Sequence, residues 1–306
     1  MKKETPYILN SISELHRTLN LPGPAHPLIS IVSAVDVRNN TDGVAKAFMT
    51  NFYMVCIKKN YKGQLKYGQN YYDFDGGMLT FISPNQLIAE TIAPDKEDVY
   101  TGWLMMIHPD FIRNYPLAKH IKSFGYFSYS VTEALHLSEK EESVIDNIIS
   151  NIDHEITSVI DHYSQDVVVS HLELLFNYSN RFYNRQFITR KSSNNHLLTQ
   201  VDELLENYFN NEDMQENGLP TVHYVADQLH LSPNYLSDML RSLTGQSTQQ
   251  HIHNKLIERA KQMLSGTSLS VGEVAYQLGF SYSQSFNKLF KSKTNLSPLE
   301  FRQSFQ

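Results

Sequence analysis

Residues 222–243 read VHYVADQLHLSPNYLSDMLRSL, and residues 271–290 read VGEVAYQLGFSYSQSFNKLF. In the first stretch Val222, Val225, Ala226 and Leu229 stand at i, i+3, i+4 and i+7, the spacing that lines one face of a helix. Val271, Val274, Ala275 and Leu278 repeat that spacing 49 residues later. Each copy then meets a short turn, His230-Leu231-Ser232 in one and Gly279-Phe280-Ser281 in the other. Ser232 and Ser281 carry the side-chain oxygen that caps free N–H groups at a helix start, and Pro233 suits the first helical position. A second helix follows in each copy. Its inner face is Leu236, Met239, Leu240 and Leu243 in the first, and Phe286, Leu289 and Phe290, shifted by one residue, in the second. Helix, tight turn, helix is the plan in which the second helix enters the DNA major groove. One copy is a weak signal, because any helical hairpin has this pattern. Two copies with alanine at the same place are a strong one, since a small side chain lets two helices cross closely.

Between the copies, residues 249–264 place Ile252, Leu256, Ala260, Met263 and Leu264 on one face. Sixteen residues at ~1.5 Å rise make a rod of about 24 Å. With the width of the units at its ends, such a rod can hold two recognition helices about one DNA turn, roughly 34 Å, apart.

Here the chain resembles a known family. Lys255-Leu256-Ile257-Glu258-Arg259-Ala260-Lys261-Gln262-Met263-Leu264 looks like the connecting helix of the AraC/XylS family of bacterial regulators. Val274-Ala275-Tyr276-Gln277-Leu278-Gly279-Phe280, followed by Ser285-Phe286 and Leu289-Phe290-Lys291, resembles that family's second unit, and Ser297-Pro298-Leu299-Glu300-Phe301-Arg302 its closing segment. The match covers roughly residues 197–304, and one departure is His230, where the family often carries glycine. Histidine tolerates a left-handed turn conformation better than a β-branched residue does.

The outer face of the first recognition helix presents Asn234, Ser237, Asp238 and Arg241, and that of the second Ser283, Gln284, Asn287 and Lys288. Asn and Gln can pair with adenine, and Lys can reach guanine. The resemblance implies base-facing positions at Asn234, Ser237 and Asp238 and at Gln284, Asn287 and Lys288, with Ser283 added from its place on the outer face. Arg241, Lys255, Lys291 and Lys293 are the candidates for phosphate. Asp238 repels phosphate, so it either accepts from cytosine or marks a weaker half.

Charge agrees modestly. The net charge is −6. Residues 218–306 hold eight basic and five acidic side chains, a net +3 that leaves −9 on the remainder. A basic end on an acidic body is expected when one part touches phosphate and another does not.

The N-terminal part reads as β. Residues 28–37, 47–58, 77–83 and 99–107 are rich in Val, Ile, Phe, Tyr and Thr. They are separated by Asn39-Asn40, Thr41-Asp42-Gly43, Asp75-Gly76-Gly77 and Ser83-Pro84-Asn85. Short strands with frequent turns suggest a small barrel or sandwich. Then Ser138-Glu139-Lys140-Glu141 forms a capping box. Ile145, Ile148, Ile149, Ile152, Ile156, Val159 and Ile160 make one helical stripe, and Val168, Leu172, Leu175, Phe176, Ser179, Phe182 and Tyr183 a second. This hairpin packs on the β domain, and the isoleucine seam, with near-heptad spacing, also suits pairing two chains. The polar stretch 190–196 is the expected linker. The domains are then 1–189, a cupin-like β-barrel with a helical hairpin, and 197–306, an all-α DNA-binding domain.

Family members commonly join the DNA-binding region to a cupin-like barrel that binds a small effector and helps dimerise. The order of elements and the stretch Asp75–Pro84 resemble that arrangement. The implied reading is a cytoplasmic homodimeric regulator, an activator by the family's commoner role. Its partners are promoter DNA, a small-molecule effector and RNA polymerase; no membrane partner, metal or cofactor is expected. Metal-binding cupins need clustered histidines and a carboxylate. Before Ile107 the chain has only His16 and His26, neither in a strand. His251 and His253 read as surface residues rather than ligands. Tyr53, Tyr67, Tyr71, Tyr72, Phe74, Phe81 and Trp103 could line a pocket, although barrel aromatics are more often core. Cys56, the one cysteine, excludes an internal disulfide and reads as a small core hydrophobe. No signal peptide follows Met1-Lys2-Lys3, and no apolar run approaches the ~20 residues of a membrane span. Two alternatives remain: a regulator without a small ligand, controlled by a protein partner or by abundance, and an enzyme fused to a DNA-binding domain. The second lacks reactive cysteines, a nucleophile elbow, a phosphate loop or paired carboxylates.

Overall fold

The computed structural model describes residues 7–39, 47–59, 66–67, 70–71, 77–89, 101–159, 161–189, 191–210 and 218–305. The chain divides into two compact units, Met1–Gln186 and Phe187–Gln306.

The first unit is mixed. In chain order it contains β1 (Tyr7–Leu9), α1 (Ile12–Thr18), β2 (Ile29–Ser33), α2 (Ala34–Asn39), β3 (Ala47–Thr50), β4 (Tyr53–Lys59), β5 (Lys66–Tyr67), β6 (Asn70–Tyr71), β7 (Met78–Ile82), β8 (Ile88–Ala89), β9 (Thr101–Ile107), α3 (Pro109–Ile112), α4 (Leu117–His120), β10 (Leu135–His136) and α5 (Glu139–Thr157), and it ends within α6 (Ser164–Thr189). One sheet has the order β10-β7-β4-β9-β2, all antiparallel, a second the order β1-β3-β8, and β5 pairs with β6.

The five-stranded sheet is covered on both faces, which is why its strands read as nearly continuous apolar runs rather than alternating ones. Met54, Leu104 and Met106 lie on one face, in a cluster with Leu9, Ile12, Leu15, Leu19 and Phe52 that joins the smaller sheet and α1. Tyr53, Phe81 and Trp103 belong to the other face. The Phe81 ring packs against Tyr126, Phe127 and Tyr183, Tyr53 meets Phe127 edge-on, and Trp103 Nε1 donates to Asp146 of α5. Gly102 sits opposite Lys58 at φ 128, and a Cβ there would fall 2.0 Å from the Ile57 carbonyl oxygen, so only glycine fits the crossing.

Several expectations are corrected here. The sheets among the described residues are open and do not close into a barrel. The run 47–58 does not make one strand: Asn51 and the fully buried Phe52 carry the chain from the smaller sheet into the larger. Ala34–Val37 turn into α2 instead of extending β2, whose pairing with β9 stops at Ser33 and Trp103. Asn85 does take a left-handed turn, at φ 64. Thr41-Asp42-Gly43, Asp75-Gly76, Tyr72 and Phe74 lie outside the described residues, as do the side chains of Tyr67 and Tyr71.

The helical hairpin is present. Ser138 caps α5, with its Oγ accepting from Glu141 N and the Glu141 carboxylate accepting from Ser138 N at 2.9 Å. Ile145, Ile148, Ile149, Ile152 and Ile156 are buried within the unit, as are all seven residues of the α6 stripe. The isoleucine seam is therefore covered by its own chain and is not free to pair two chains. Val159 lies past the helix end and is 94% exposed; Ile160 lies outside the described residues. Lys59 clasps α5 through Glu142, at 3.0 Å, and Asp146. His16 is buried on α1 and shares a hydrogen bond with Ser30 Oγ. Cys56 is half-buried on β4, where burial pushes its thiol pKa up.

The second unit is helical: α7 (Lys191–Asn210), α8 (Val222–Gln228), α9 (Pro233–Thr244), α10 (Thr248–Gly266), α11 (Val271–Gln277), α12 (Ser283–Thr294) and α13 (Pro298–Gln303). Residues 191–196, the stretch read as linker, form the first turns of α7. Among the described residues no helix is long and apolar enough to cross a membrane.

Candidate nucleic-acid interface

Both repeat copies fold as helix-turn-helix units, and their first turns match bond for bond. After α8, Leu231 N donates to Ala226 O at 2.9 Å and His230 N to Asp227 O at 3.1 Å. After α11, Phe280 N donates to Ala275 O at 3.0 Å and Gly279 N to Tyr276 O at 2.9 Å. This is the Schellman closure, which requires a left-handed residue just beyond the helix. His230 supplies it at φ 56 and Gly279 at φ 77, so the departure at His230 leaves the turn intact. Ala226 and Ala275 are both buried at the crossings.

Past the turn the copies differ. Ser232 caps α9, its Oγ accepting from Tyr235 N at 3.3 Å, and Pro233 opens the helix. In the second copy the cap position falls on Tyr282, not on Ser281, and no side chain bonds there. The second turn is one residue longer. From here equivalent positions stand 50 residues apart: Pro233 and Ser283, Gly245 and Asn295, the left-handed closures of α9 and α12. The longer turn explains the one-residue shift of the second inner face. Tyr235, Leu236, Met239 and Leu240 fill the first core, and Phe286 and Phe290 the second, while Leu243 and Leu289 are only part-buried.

The rod between the copies is α10, 19 residues from Thr248. Ile252, Leu256, Ala260 and Leu264 are buried along it, together with Ile257. It packs against α7, α9, α11, α12 and α13. The closing helix α13 anchors its far end: Arg302 Nε donates to Leu264 O at 3.1 Å, and the Phe301 ring meets Phe290.

The 50-residue offset aligns the two reading faces as Asn234 with Gln284, Ser237 with Asn287, Asp238 with Lys288 and Arg241 with Lys291. On α12 all four, and Ser283 and Lys293, are exposed. Lys293 reaches Asn254 at 3.1 Å. Lys288 has no ion-pair partner among the described residues. On α9 Asn234 is exposed, but Ser237 Oγ shares a hydrogen bond with the buried Thr248 at 3.0 Å. Asp238 accepts from Arg241 Nη1 at 2.8 Å. Lys255, a phosphate candidate, pairs with Glu206 of α7 at 3.2 Å and is mostly covered.

His251 and His253 are half-buried rather than surface residues, bonded to Thr244 Oγ1 and Gln249 respectively, and desolvation lowers both pKa values. Among the described residues no cluster of His, Cys, Asp and Glu could hold a metal ion. The exposed Tyr282, at the head of α12, escaped sequence reasoning because an aromatic beside a helix start reads as core.

A family model described as a helix-turn-helix domain matches residues 225–304. The uncharacterized HTH-type transcriptional regulator YijO of Escherichia coli K12 is 36% identical over 85 residues, 28% of this chain and 30% of that protein. The HTH-type transcriptional activator RhaS of E. coli K12 is 37% identical over 79 residues, 26% of this chain and 28% of that protein. The chain thus spans under a third of the length of these relatives. Among solved structures, the C-terminal domain of the two-component response regulator yesN from Fusobacterium nucleatum is 30% identical at a TM-score of 0.29, covering 34% of this chain and 98% of that one.

Proposed function

We propose that this chain, whose residues 225–304 are a helix-turn-helix domain of the AraC/XylS type, is a transcription regulator that binds promoter DNA in sequence-specific fashion through both units. The observation that carries the reading is α12. Its inner side is fixed by Phe286 and Phe290, while Gln284, Asn287 and Lys288 stand exposed along the outer side with Lys291 and Lys293 near its end. A neutral pair of amides suits base edges, and the lysines suit phosphate or guanine. The mechanism is direct readout by α9 and α12 in successive major grooves, their separation held by α10. An activator role is the reading favoured by the likeness to RhaS.

The first unit is the control domain in this reading, cupin-like in the order of its elements, taking a small effector and forming a homodimer that engages RNA polymerase at the promoter. A regulator without a small ligand is favoured by one observation: Tyr53, Phe81 and Trp103 are all packed against protein side chains.

The test is selection of genome fragments by the purified chain at physiological salt, followed by sequencing. Two boxes about one helical turn apart are expected. Weak, salt-sensitive retention without a motif overturns sequence-specific binding.

A further inference from the structure

The first recognition helix lacks the amide-and-lysine face of the second, yet it is not featureless. Ser237 is turned toward Thr248, which leaves Asn234 and the Asp238–Arg241 pair on its outer side. We infer that Arg241 is the specificity-determining residue of the first unit, reading a guanine, and that Asp238 is a positioning residue that holds the guanidinium for it. The inference rests on the DNA-binding reading above and assigns roles within it.

Three observations carry it. Side chains on a helix lean toward its N-terminus, so Arg241 reaches back one turn and its guanidinium lies at the level of Asp238, among the base-facing positions. The bond uses Nη1 alone, at 2.8 Å from Asp238 Oδ1, and the Arg241 side chain is 58% exposed. A guanidinium carries five donors in a planar fork, so Nη2 and Nε remain for a bidentate bond to O6 and N7 of guanine. Finally, the carboxylate decides between phosphate and base. A phosphate beside Arg241 would also face Asp238 and be repelled, whereas the guanine edge is a neutral acceptor pair and tolerates the carboxylate. In the second unit Lys288 stands at the position of Asp238 and Lys291 at that of Arg241, so an arginine paired with a carboxylate is particular to the first unit.

The experiment compares motifs selected by the full chain, by Arg241→Lys, by Asp238→Ala and by Gln284→Ala. Both first-unit side chains face outward, and a melting curve for each variant confirms that the fold survives. Lys keeps the charge but loses the fork. The expected result is that Arg241→Lys lowers the preference for one guanine in one box by roughly 5- to 150-fold, the size of a bidentate base contact. Asp238→Ala weakens the same preference while raising affinity for random DNA. Gln284→Ala alters only the other box. Unchanged guanine preference in Arg241→Lys means that the guanidinium fork does not read the base and overturns the inference alone. Preference lost only in Asp238→Ala makes the carboxylate the reader and overturns it too. If the wild-type chain selects no motif, the DNA-reading premise falls and the inference with it.

Discussion

The two helix-turn-helix units share a turn and differ in what they offer DNA. Up to the turn the chain repeats at 49 residues, with the same closing hydrogen bonds and a left-handed residue in the same place. Beyond it the repeat is 50, the first cap is Ser232 and the second is Tyr282 without a side-chain bond. The cores diverge as well, Leu and Met in the first against Phe in the second. The outer faces diverge most: a self-neutralised Asp–Arg pair on α9, and exposed amides and lysines on α12. Backbone closure is dictated by geometry and tolerates little change. A solvent-facing residue is constrained only by what it meets, so two copies of one scaffold can read different DNA.

The largest effect is expected in the cores. Phe290→Ala should cost about 3–5 kcal/mol and Met239→Ala about 2–5, as usual for truncated core residues. Calorimetry or denaturant melts of the full chain would show it. A loss under about 1 kcal/mol from either would mean the two cores do not hold the units.

On DNA, Gln284→Ala should reduce specific binding by roughly 1–3 kcal/mol and leave random-sequence binding nearly unchanged. Equal losses on both would remove its base-reading role. Lys291→Ala should lower the salt slope of binding by about 1, while Lys255→Ala, already paired with Glu206, should barely change it. Titration of binding against salt separates these two lysines.

The turns can be compared by exchange. His230→Gly relieves a left-handed conformation that costs roughly 1–2 kcal/mol for a side chain, less the extra entropy of glycine in the unfolded chain, for a gain of about 1 or below. Gly279→Ala should lose a similar amount. Opposite signs in thermal melts confirm equivalent turns; equal signs break the equivalence.

The smallest effect is in pH. Burial holds the pKa values of His251 and His253 below the ordinary 6.5. The unfolded chain therefore takes up protons first as pH falls, so stability is whole above about 6.5 and declines below it. The melting temperature should be lower at pH 5.5 than at 7.5, and His251→Gln should shrink the difference.

Much of the second unit was legible in the sequence. The period of apolar residues and Ser232 with Pro233 are local signals whose physics lies within one or two turns of chain, and they survive into the structure, as does the capping box at Ser138 in the first unit. Ser281 misled because cap choice depends on where the next helix docks: a turn one residue longer moved the cap to Tyr282. The site was legible as residue types on an outer face. Its pairings were not, because Ser237 with Thr248, Lys255 with Glu206 and Lys293 with Asn254 join residues from 11 to 49 positions apart.

The same division runs through the first unit. Composition, turn signals and apolar period told that residues 47–58 and 99–107 were β and that two amphipathic helices followed. Only tertiary structure decided that the chain leaves one sheet for another at Phe52, that the sheets stay open, and that the isoleucine seam is covered by its own chain. The physical reason is range. Propensity, capping and turn chemistry act between neighbours and are written in the order of residues. Sheet partners, helix coverage and the ion pairs that set a reading face depend on which distant segments meet, and that is settled only when the core closes.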